Sequence, residues 1–320
     1  MAVPPRLRSE DLDACHPILE AYSFNPERHH LERAGNDALI RLLRSRLEGM
    51  LATGSGFWIP EEGLAAWHPL AFDSEVLGFP AARIDVLIGS WHAIGKLLDV
   101  VCDDCRRDEI HHLSARVDAA DVGAIHALEQ HNFVTMDVIT TFSFDIRSKE
   151  PTHPATNSEK SRIRQATTED ADAVAEIARS SFQQDRFHAD PDIEHEAADR
   201  VYEAWGRNAI NGSVADAVLV AESEGRVDAF LAVSIDREAE AHLGFSIGRI
   251  VLIATAERAR GKGLGAMLVS AALRWFRDRG AAVVDVGTQV TNVAGASLYE
   301  RCGFQLSASH VTLRTILGDG

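Results

Sequence analysis

The chain has 320 residues, a formal net charge of −16 and an apolar fraction of 46%. This length favours two domains over one, and the acidic balance argues against nucleic acid or an anionic membrane as the main partner. No stretch approaches the roughly 18 apolar residues of a membrane span, and the N-terminal residues lack the apolar segment of a signal peptide. These features predict a cytoplasmic protein that binds neither nucleic acid nor membrane.

The cysteines are few and scattered, which predicts reduced thiols and not a disulfide framework. They are Cys15, Cys102, Cys105 and Cys302. Cys102 and Cys105 have the spacing of a metal or redox pair, but they lie in a helical pattern without a second pair nearby. We therefore expect one of the two on a buried face and the other near solvent. His111 and His112 are expected at the entrance of a strand, and the sequence predicts no metal site.

One polar segment divides the chain almost in half. Residues 149–162 contain two prolines and show no hydrophobic period, which is typical of a linker. The expected domains are therefore residues 1–148 and residues 163–320.

The C-terminal half shows a clear succession of elements. A capping box at Thr167 or Thr168 precedes a helix, and two apolar strands surround a turn at Gly225. A third strand, "IGRIVLIAT", is followed by a glycine loop, a long amphipathic helix and the buried strand "AAVVDVGTQV". A short helix in "NVAGASLYERCGF" and two terminal strands, "QLSAS" and "HVTLRTIL", complete the order.

The N-terminal half repeats part of this order. A shift of 171 positions places "DVGAIHALEQHNF" under "NVAGASLYERCGF", so that Asp121 lies under Asn292 and Leu128 under Tyr299. Self-similarity over a domain-sized period indicates duplication. The first copy has "GSWHAIGKLLDVV" where the second has its glycine loop. We therefore expect the first copy to have the same fold but no catalytic function.

The glycine loop between the third strand and the long helix has the pattern R-x-x-G-x-G. Gly261, Gly263 and Gly265 let an anion approach backbone N–H groups at the positive end of a helix, while Arg260 and Lys262 add charge. A tight turn or a dinucleotide-binding fingerprint are the alternatives. The spacing and the missing acidic residue after the next strand disfavour the dinucleotide.

Together with "TQVTNVAGASLYERCGF", the loop resembles the GNAT superfamily of acyl-CoA-dependent N-acetyltransferases. The resemblance implies an α/β fold of tandem GNAT-like domains, each a mixed, mostly antiparallel twisted sheet flanked by helices, with a degenerate N-terminal copy. It implies acetyl-CoA as co-substrate, with Tyr299 facing the thioester sulfur as the acid. The implied cofactor-binding residues are Ile253, Ala254, Thr255, Arg260, Gly261, Lys262, Gly263, Leu264, Gly265 and Asn292. Glu257 stands where the family usually has proline.

Further segments, among them "SSFQQDRFHADPDI" and "FDSEVLGFPAARI", resemble the TDP-fucosamine acetyltransferases. This resemblance implies a small-molecule acceptor, an amino sugar that is free or linked to a nucleotide, whose amine attacks the thioester directly. It also implies Asp137 as a base acting through water. An alternating strand equally allows Asp137 to point at solvent.

The acceptor is expected to contact Arg186, Trp205 and Asn208, which follow the first helix of the C-terminal domain together with Phe187 and His188. Arg186 can meet a phosphate with two parallel hydrogen bonds, and Trp205 can stack on a base or sugar. A surface ion pair and a tryptophan in a helix core are the structural alternatives.

Other functions stay open from the sequence. The acceptor can instead be a mycothiol-synthase-like conjugate or a peptide N-terminus, and the chain can be an acyl-CoA sensor without turnover. Retention of Asn292 and Tyr299 disfavours the sensor. The sequence is compatible with a monomer or a homodimer.

Overall fold

The computed structural model describes residues 3–148, 161–183 and 185–318. The helices in this part of the chain are α1 His16–Ala21, α2 Leu31–Ala34, α3 Asn36–Thr53, α4 Ala71–Leu77, α5 Trp91–Arg107, α6 Val122–Gln130, α7 Ala171–Ser181, α8 His195–Ile210, α9 Arg237–Leu243, α10 Leu264–Asp278 and α11 Val293–Arg301. The strands are β1 Ser55–Ile59, β2 Gly63–Pro69, β3 Ala81–Gly89, β4 His112–Asp118, β5 Val134–Asp145, β6 Ser161–Gln165, β7 Ala217–Ser223, β8 Arg226–Asp236, β9 Ser246–Thr255, β10 Ala281–Gln289 and β11 Gln305–Ile316. None of these helices combines the length and the apolar character needed to cross a membrane.

The chain divides into two compact units that do not follow the sequence halves. The first unit contains Met1–Val138 and Ser309–Gly320, and the second contains Ile139–Ala308. The division falls within β5 and within β11, so each unit takes a strand segment from the other half of the chain. Residues 149–160 of the expected linker lie outside the described residues, whereas Ser161 and Arg162 already belong to β6.

The first unit has the strand order β1-β2-β3-β4-β11. Its pairs are antiparallel except for the parallel pair β3 and β4. The residues of β2 contribute to two hydrophobic cores, because successive side chains of a strand point to opposite faces of the sheet. Leu64 and Ala66 join the core with α1 and α3, while Ala65 and Trp67 join the core with α5 and α6.

The second unit has the strand order β5-β10-β9-β8-β7-β6, again with one parallel pair, β9 and β10. Residues 139–145 of β5 pair with β10. The main core lies between alternate residues of β7 and β8 and the apolar face of α10, where Leu268 and Phe276 are fully buried. The helix α7 packs with α8 and contacts β8 and β9. This arrangement places β9, the glycine loop and α10 within one compact unit.

The two units repeat each other in detail. The N-cap residues of α6 and α11, Asp121 and Asn292, have the same backbone angles, φ −81° and ψ 69°. The strands β3 and β9 each carry a bulge, at Asp85 and Val251, next to their antiparallel partner. Apart from the four-residue helix α2, the order α1, α3, β1, β2 also matches the order α7, α8, β7, β8. The first 65 residues therefore supply the opening elements of the first copy.

Two expectations from the sequence need correction. The two terminal strands are one continuous strand, β11, because residues 305–316 contain no glycine or proline to form a turn. Cys102 and Cys105 are both buried on α5, and neither lies near solvent. Burial raises the pKa of the Cys102 thiol to about 11, so this thiol stays protonated at neutral pH.

Candidate active site

The parallel strands β9 and β10 separate in the second unit. Their pairing runs from Ser246 and Ala281 to Ile250 and Val286, and among the described residues it ends there. The bulge at Val251 follows, after which residues 252–255 remain paired only with β8. One edge of β9 thus presents backbone N–H and C=O groups to an extended ligand, as a sheet edge does in strand addition.

The glycine loop begins where this open edge ends. Gly261 and Gly263 have φ values of 76° and 81°, in the left-handed region that other residues adopt only with strain. A Cβ built on Gly261 has no atom within 4 Å. The space in front of Gly261 is therefore open in the described part of the chain, and glycine keeps it open.

The start of α10 provides donors for an anion. Gly263 is the N-cap, and no side chain caps the helix. Because the first N–H groups of a helix have no acceptor within it, the amides of Leu264 and Gly265 remain available at the positive helix end. The side chains of Arg260 and Lys262 are exposed beside them. These features suit the pyrophosphate of coenzyme A.

Gly265 also has a packing role that the motif does not reveal. A Cβ at this position would lie 3.1 Å from Cδ2 of Leu298 on α11. The absence of a side chain therefore lets α10 and α11 approach each other closely.

Arg258, which precedes the glycine loop, forms hydrogen bonds with β8. Its Nε donates to Asp228 at 3.0 Å and its Nη2 donates to the carbonyl oxygen of Val227 at 2.9 Å. The side chain of Asp228 is 5% exposed and that of Arg258 is 44% exposed, so the carboxylate of this pair is buried while the arginine side chain reaches solvent. Sequence reasoning missed Arg258, whose signal would have been a second arginine two residues before Arg260.

Asn292 links β10 to α11. Its Oδ1 accepts from the backbone N–H of Gly295 at 3.0 Å, and its Nδ2 donates to Oγ1 of Thr288 at 2.9 Å. This is the geometry of a helix N-cap. The side chain fixes the start of the helix that carries Tyr299, which adds a structural role to the predicted cofactor contact.

Tyr299 lies in the core of the second unit and is 3% exposed. Its ring packs on Phe142 of β5 and on Phe304, at centroid distances of 5.8 and 5.9 Å. Burial raises the pKa of its phenol, and the neighbouring Cys302 adds to the shift. The phenol therefore stays protonated at neutral pH and can donate its proton.

The predicted acceptor residues lie around α7 and α8. The guanidinium of Arg186 lies 4.2 Å from the ring centre of Phe187, and Trp205 packs edge-on against Phe187 and Tyr202. Asn208 lies one turn further along α8 and is half-buried. Trp205 thus belongs to an aromatic cluster of the helix pair, although it is not fully buried.

A histidine clasp, formed by Asp185, His188 and Asp199, holds the segment between α7 and α8. Nδ1 of His188 lies 2.6 Å from Oδ2 of Asp185, and Nε2 lies 3.1 Å from Oδ1 of Asp199. The backbone N–H of Phe187 also donates to Asp185. The clasp fixes the backbone on which Arg186 stands, and sequence reasoning named only His188 of its three members.

Asp137 lies on the part of β5 that belongs to the first unit. The residue is half-buried, and its Oδ1 is buried without a hydrogen-bond partner among the described residues. A buried carboxylate oxygen without a partner is costly, which marks such a position as a functional candidate.

Comparison with known proteins identifies the segment that contains β9, the loop and Tyr299. Residues 171–304 match the sequence profile of the Acetyltransferase (GNAT) family. This segment is a GNAT acetyltransferase domain. The chain is accordingly an acyl-CoA-dependent N-acetyltransferase, and the family uses acetyl-CoA.

Two curated proteins and one solved structure match most of this chain. The spore coat polysaccharide biosynthesis protein SpsD of Bacillus subtilis is 26% identical over 270 residues, which are 83% of each chain. The dTDP-fucosamine acetyltransferase of Escherichia coli is 25% identical over 62% of this chain and 78% of its own. A tandem GNAT protein from the clavulanic acid biosynthesis pathway superposes with a TM-score of 0.60 at 14% identity, covering 98% of both chains. The predicted tandem GNAT fold is thereby confirmed.

Proposed function

We propose that the acetyl acceptor is the primary amine of an amino sugar, free or linked to a nucleotide, and that the amine attacks the thioester directly. Two relatives matched over most of their length carry sugar-related names, one for polysaccharide biosynthesis and one for a dTDP-linked amino sugar. The observation that carries the transfer itself is the open edge of β9 beside the uncapped α10, within one unit that also buries Tyr299.

Acetyl-CoA supplies an acetyl group on a thioester. The backbone edge of residues 253–255 is suited to hold its extended arm, and the glycine loop with Arg260 and Lys262 is suited to hold its pyrophosphate. These contacts use backbone amides that the fold already fixes, so little ordering is required on binding. A backbone N–H of this edge can also stabilise negative charge that develops on the carbonyl oxygen.

Two proton transfers accompany amide formation. The departing sulfur needs a proton, and Tyr299 can donate one because burial keeps its phenol neutral. The attacking amine must lose a proton, and we assign this acceptance to Asp137, directly or through water. The support is its buried Oδ1, which lacks a hydrogen-bond donor among the described residues.

The acceptor contacts are assigned to Arg186, Trp205 and Asn208. Arg186 can pair with a phosphate through two parallel hydrogen bonds, which favours a nucleotide-linked sugar over a free one. Trp205 is partly exposed at the edge of its aromatic cluster and can offer that edge to a sugar ring.

A thiol-release assay with acetyl-CoA tests this function. The acceptor panel contains free amino sugars, TDP- and UDP-linked amino sugars, and peptides with free N-termini. We expect the largest kcat/KM for a nucleotide-linked amino sugar, and Arg186→Gln should lower that value while leaving a free amino sugar nearly unaffected. Turnover confined to peptides would overturn the proposed acceptor, and binding of acetyl-CoA without turnover of any amine would indicate a sensor.

A further inference from the structure

A short motif occurs in both units, directly after the first helix of each. Residues 23–30 read "SFNPERHH" and residues 181–188 read "SFQQDRFH", a shift of 158 positions. The motif places Glu27 under Asp185, Arg28 under Arg186 and His30 under His188. The difference that matters is at the seventh position, where the first copy has His29 and the second has Phe187.

In the second unit this position belongs to the core. Phe187 is 2% exposed and packs on the aromatic residues of α8. The acidic residue and the last histidine of the motif form the clasp described above. Only one imidazole therefore approaches the carboxylate of Asp185 from within the motif.

In the first unit two imidazoles approach the carboxylate of Glu27, which is the counterpart of Asp185. Nε2 of His29 and Nε2 of His30 lie 3.9 and 3.8 Å from Oε2 of Glu27. Side-chain exposures are 5% for His29, 3% for His30 and 8% for Glu27. One ligand atom from each of the three residues lies within 4.8 Å of those of the other two.

The carboxylate is held from the opposite side. Nη1 of Arg46 on α3 donates to Oε1 of Glu27 at 2.8 Å, which leaves Oε2 turned toward the histidines. The backbone N–H of Glu27 donates to the side chain of Asn25, whose Nδ2 donates in turn to the carbonyl oxygen of Leu39. Such outer contacts orient the ligands of metal sites.

We propose that Glu27, His29 and His30 bind a divalent transition-metal ion. Two imidazole nitrogens and one carboxylate oxygen suit zinc and its neighbours. Bonds of about 2.1 Å in tetrahedral geometry place ligand atoms about 3.4 Å apart, so the pairs at 3.8 and 3.9 Å need to close by only a few tenths of an ångström. The inference does not depend on the acetyl acceptor.

Zinc binding to the untagged full-length protein tests the site. Metal is first removed from the protein with a chelator, and Zn²⁺ is then titrated in by calorimetry. Elemental analysis after gel filtration gives the number of zinc ions bound per chain. We expect one Zn²⁺ per chain, and a loss of affinity of at least tenfold in both His29→Phe and Glu27→Gln. His29→Phe installs the residue that the second copy carries at this position, so its fold should be retained.

A matched control and a second readout separate this site from other histidines. His126→Phe replaces an exposed histidine of the same unit by the same residue and should leave zinc binding unchanged. Co²⁺ should give visible absorption bands in the wild type that both site variants lose. Thermal midpoints and acetyl-CoA affinity report on folding, and Glu27→Gln preserves the test if His29→Phe unfolds. No stoichiometric zinc in the wild type, or zinc retained by both folded variants, overturns the proposal.

Discussion

At the scale of single residues, Tyr299 combines a neutral phenol with tight packing. We expect Tyr299→Phe to lower turnover by about 10²-fold, the usual contribution of a general acid. Acetyl-CoA affinity and stability should change little, because a phenylalanine keeps the contacts with Phe142 and Phe304. Steady-state thiol release and calorimetry measure the two effects, and unchanged turnover would reduce Tyr299 to a packing residue.

The pH profile of the wild type gives the Tyr299 assignment a second check. Burial raises the pKa of Tyr299 above the ordinary tyrosine value of about 10. The acid form is therefore present below that pH, and it is lost only as pH rises through the elevated pKa. No alkaline decline from this group is expected between pH 8 and 10. A decline in this window that Tyr299→Phe abolishes would contradict the assignment.

Asp137 has a different signature. If its carboxylate takes the amine proton, Asp137→Asn should lower turnover most at low pH, where few acceptor amines are already neutral. The defect should shrink as pH approaches the amine pKa. Glu129→Gln, which neutralises an exposed carboxylate on α6, is the control and should have no effect. A defect of constant size across the pH range would remove Asp137 from proton transfer.

At the scale of elements, the two ends of α10 allow a matched comparison. Gly263 at the N-cap and Gly280 after the C-terminus have φ values of 81° and 78°, so both lie in the left-handed region. Alanine costs about 1 kcal/mol of strain at either position. Only Gly263→Ala should also weaken acetyl-CoA binding, by tenfold or more in calorimetry. Equal affinities in the two variants would show that the loop does not contact the cofactor.

The elements of the second unit could be predicted because their signals are local. Glycines mark the turn at Gly225 and the loop at Gly261 and Gly263, and a 3.6-residue period marks α10. The separation of β9 from β10 was not predictable, since it depends on the bulge at Val251 and on partners in strands distant in the sequence. The family resemblance predicts Tyr299 as the acid, but only packing explains why its phenol is kept neutral.

At the scale of the whole molecule, the first copy should not bind acetyl-CoA. In the first unit β3 leads directly to Ser90, whose side chain caps α5 by accepting from the N–H of Ala93. A cavity of about 340 Å³ nearby is lined by Glu61, Glu62 and Asp121, which repel phosphate. Calorimetry should give one acetyl-CoA per chain, and Gly263→Val should abolish all binding. If Gly263→Val still bound one equivalent of acetyl-CoA, the chain would have a binding site outside the glycine loop.

The exchange of strand segments was the least predictable feature of the fold. The division at residues 149–162 follows composition, whereas strand pairing follows partners that no local pattern specifies. Residues 310–316 pair with β4 of the first unit, and residues 139–145 pair with β10 of the second. Phe142 and Phe144 belong to residues 139–145, and they pack on Tyr299 and Phe304 respectively.

Cutting the chain at the linker should therefore separate each copy from a strand that it needs. Fragment 163–320 lacks Phe142 and Phe144, and removal of a buried phenylalanine costs about 3–5 kcal/mol, a large share of a total stability of about 5–15 kcal/mol. We expect this fragment alone to melt well below the full chain and to bind acetyl-CoA poorly. Co-expression with fragment 1–148 should restore both properties, because it returns residues 139–145 to β10. A fragment 163–320 that matches the full chain in thermal midpoint and acetyl-CoA affinity would show that the exchanged strand is dispensable.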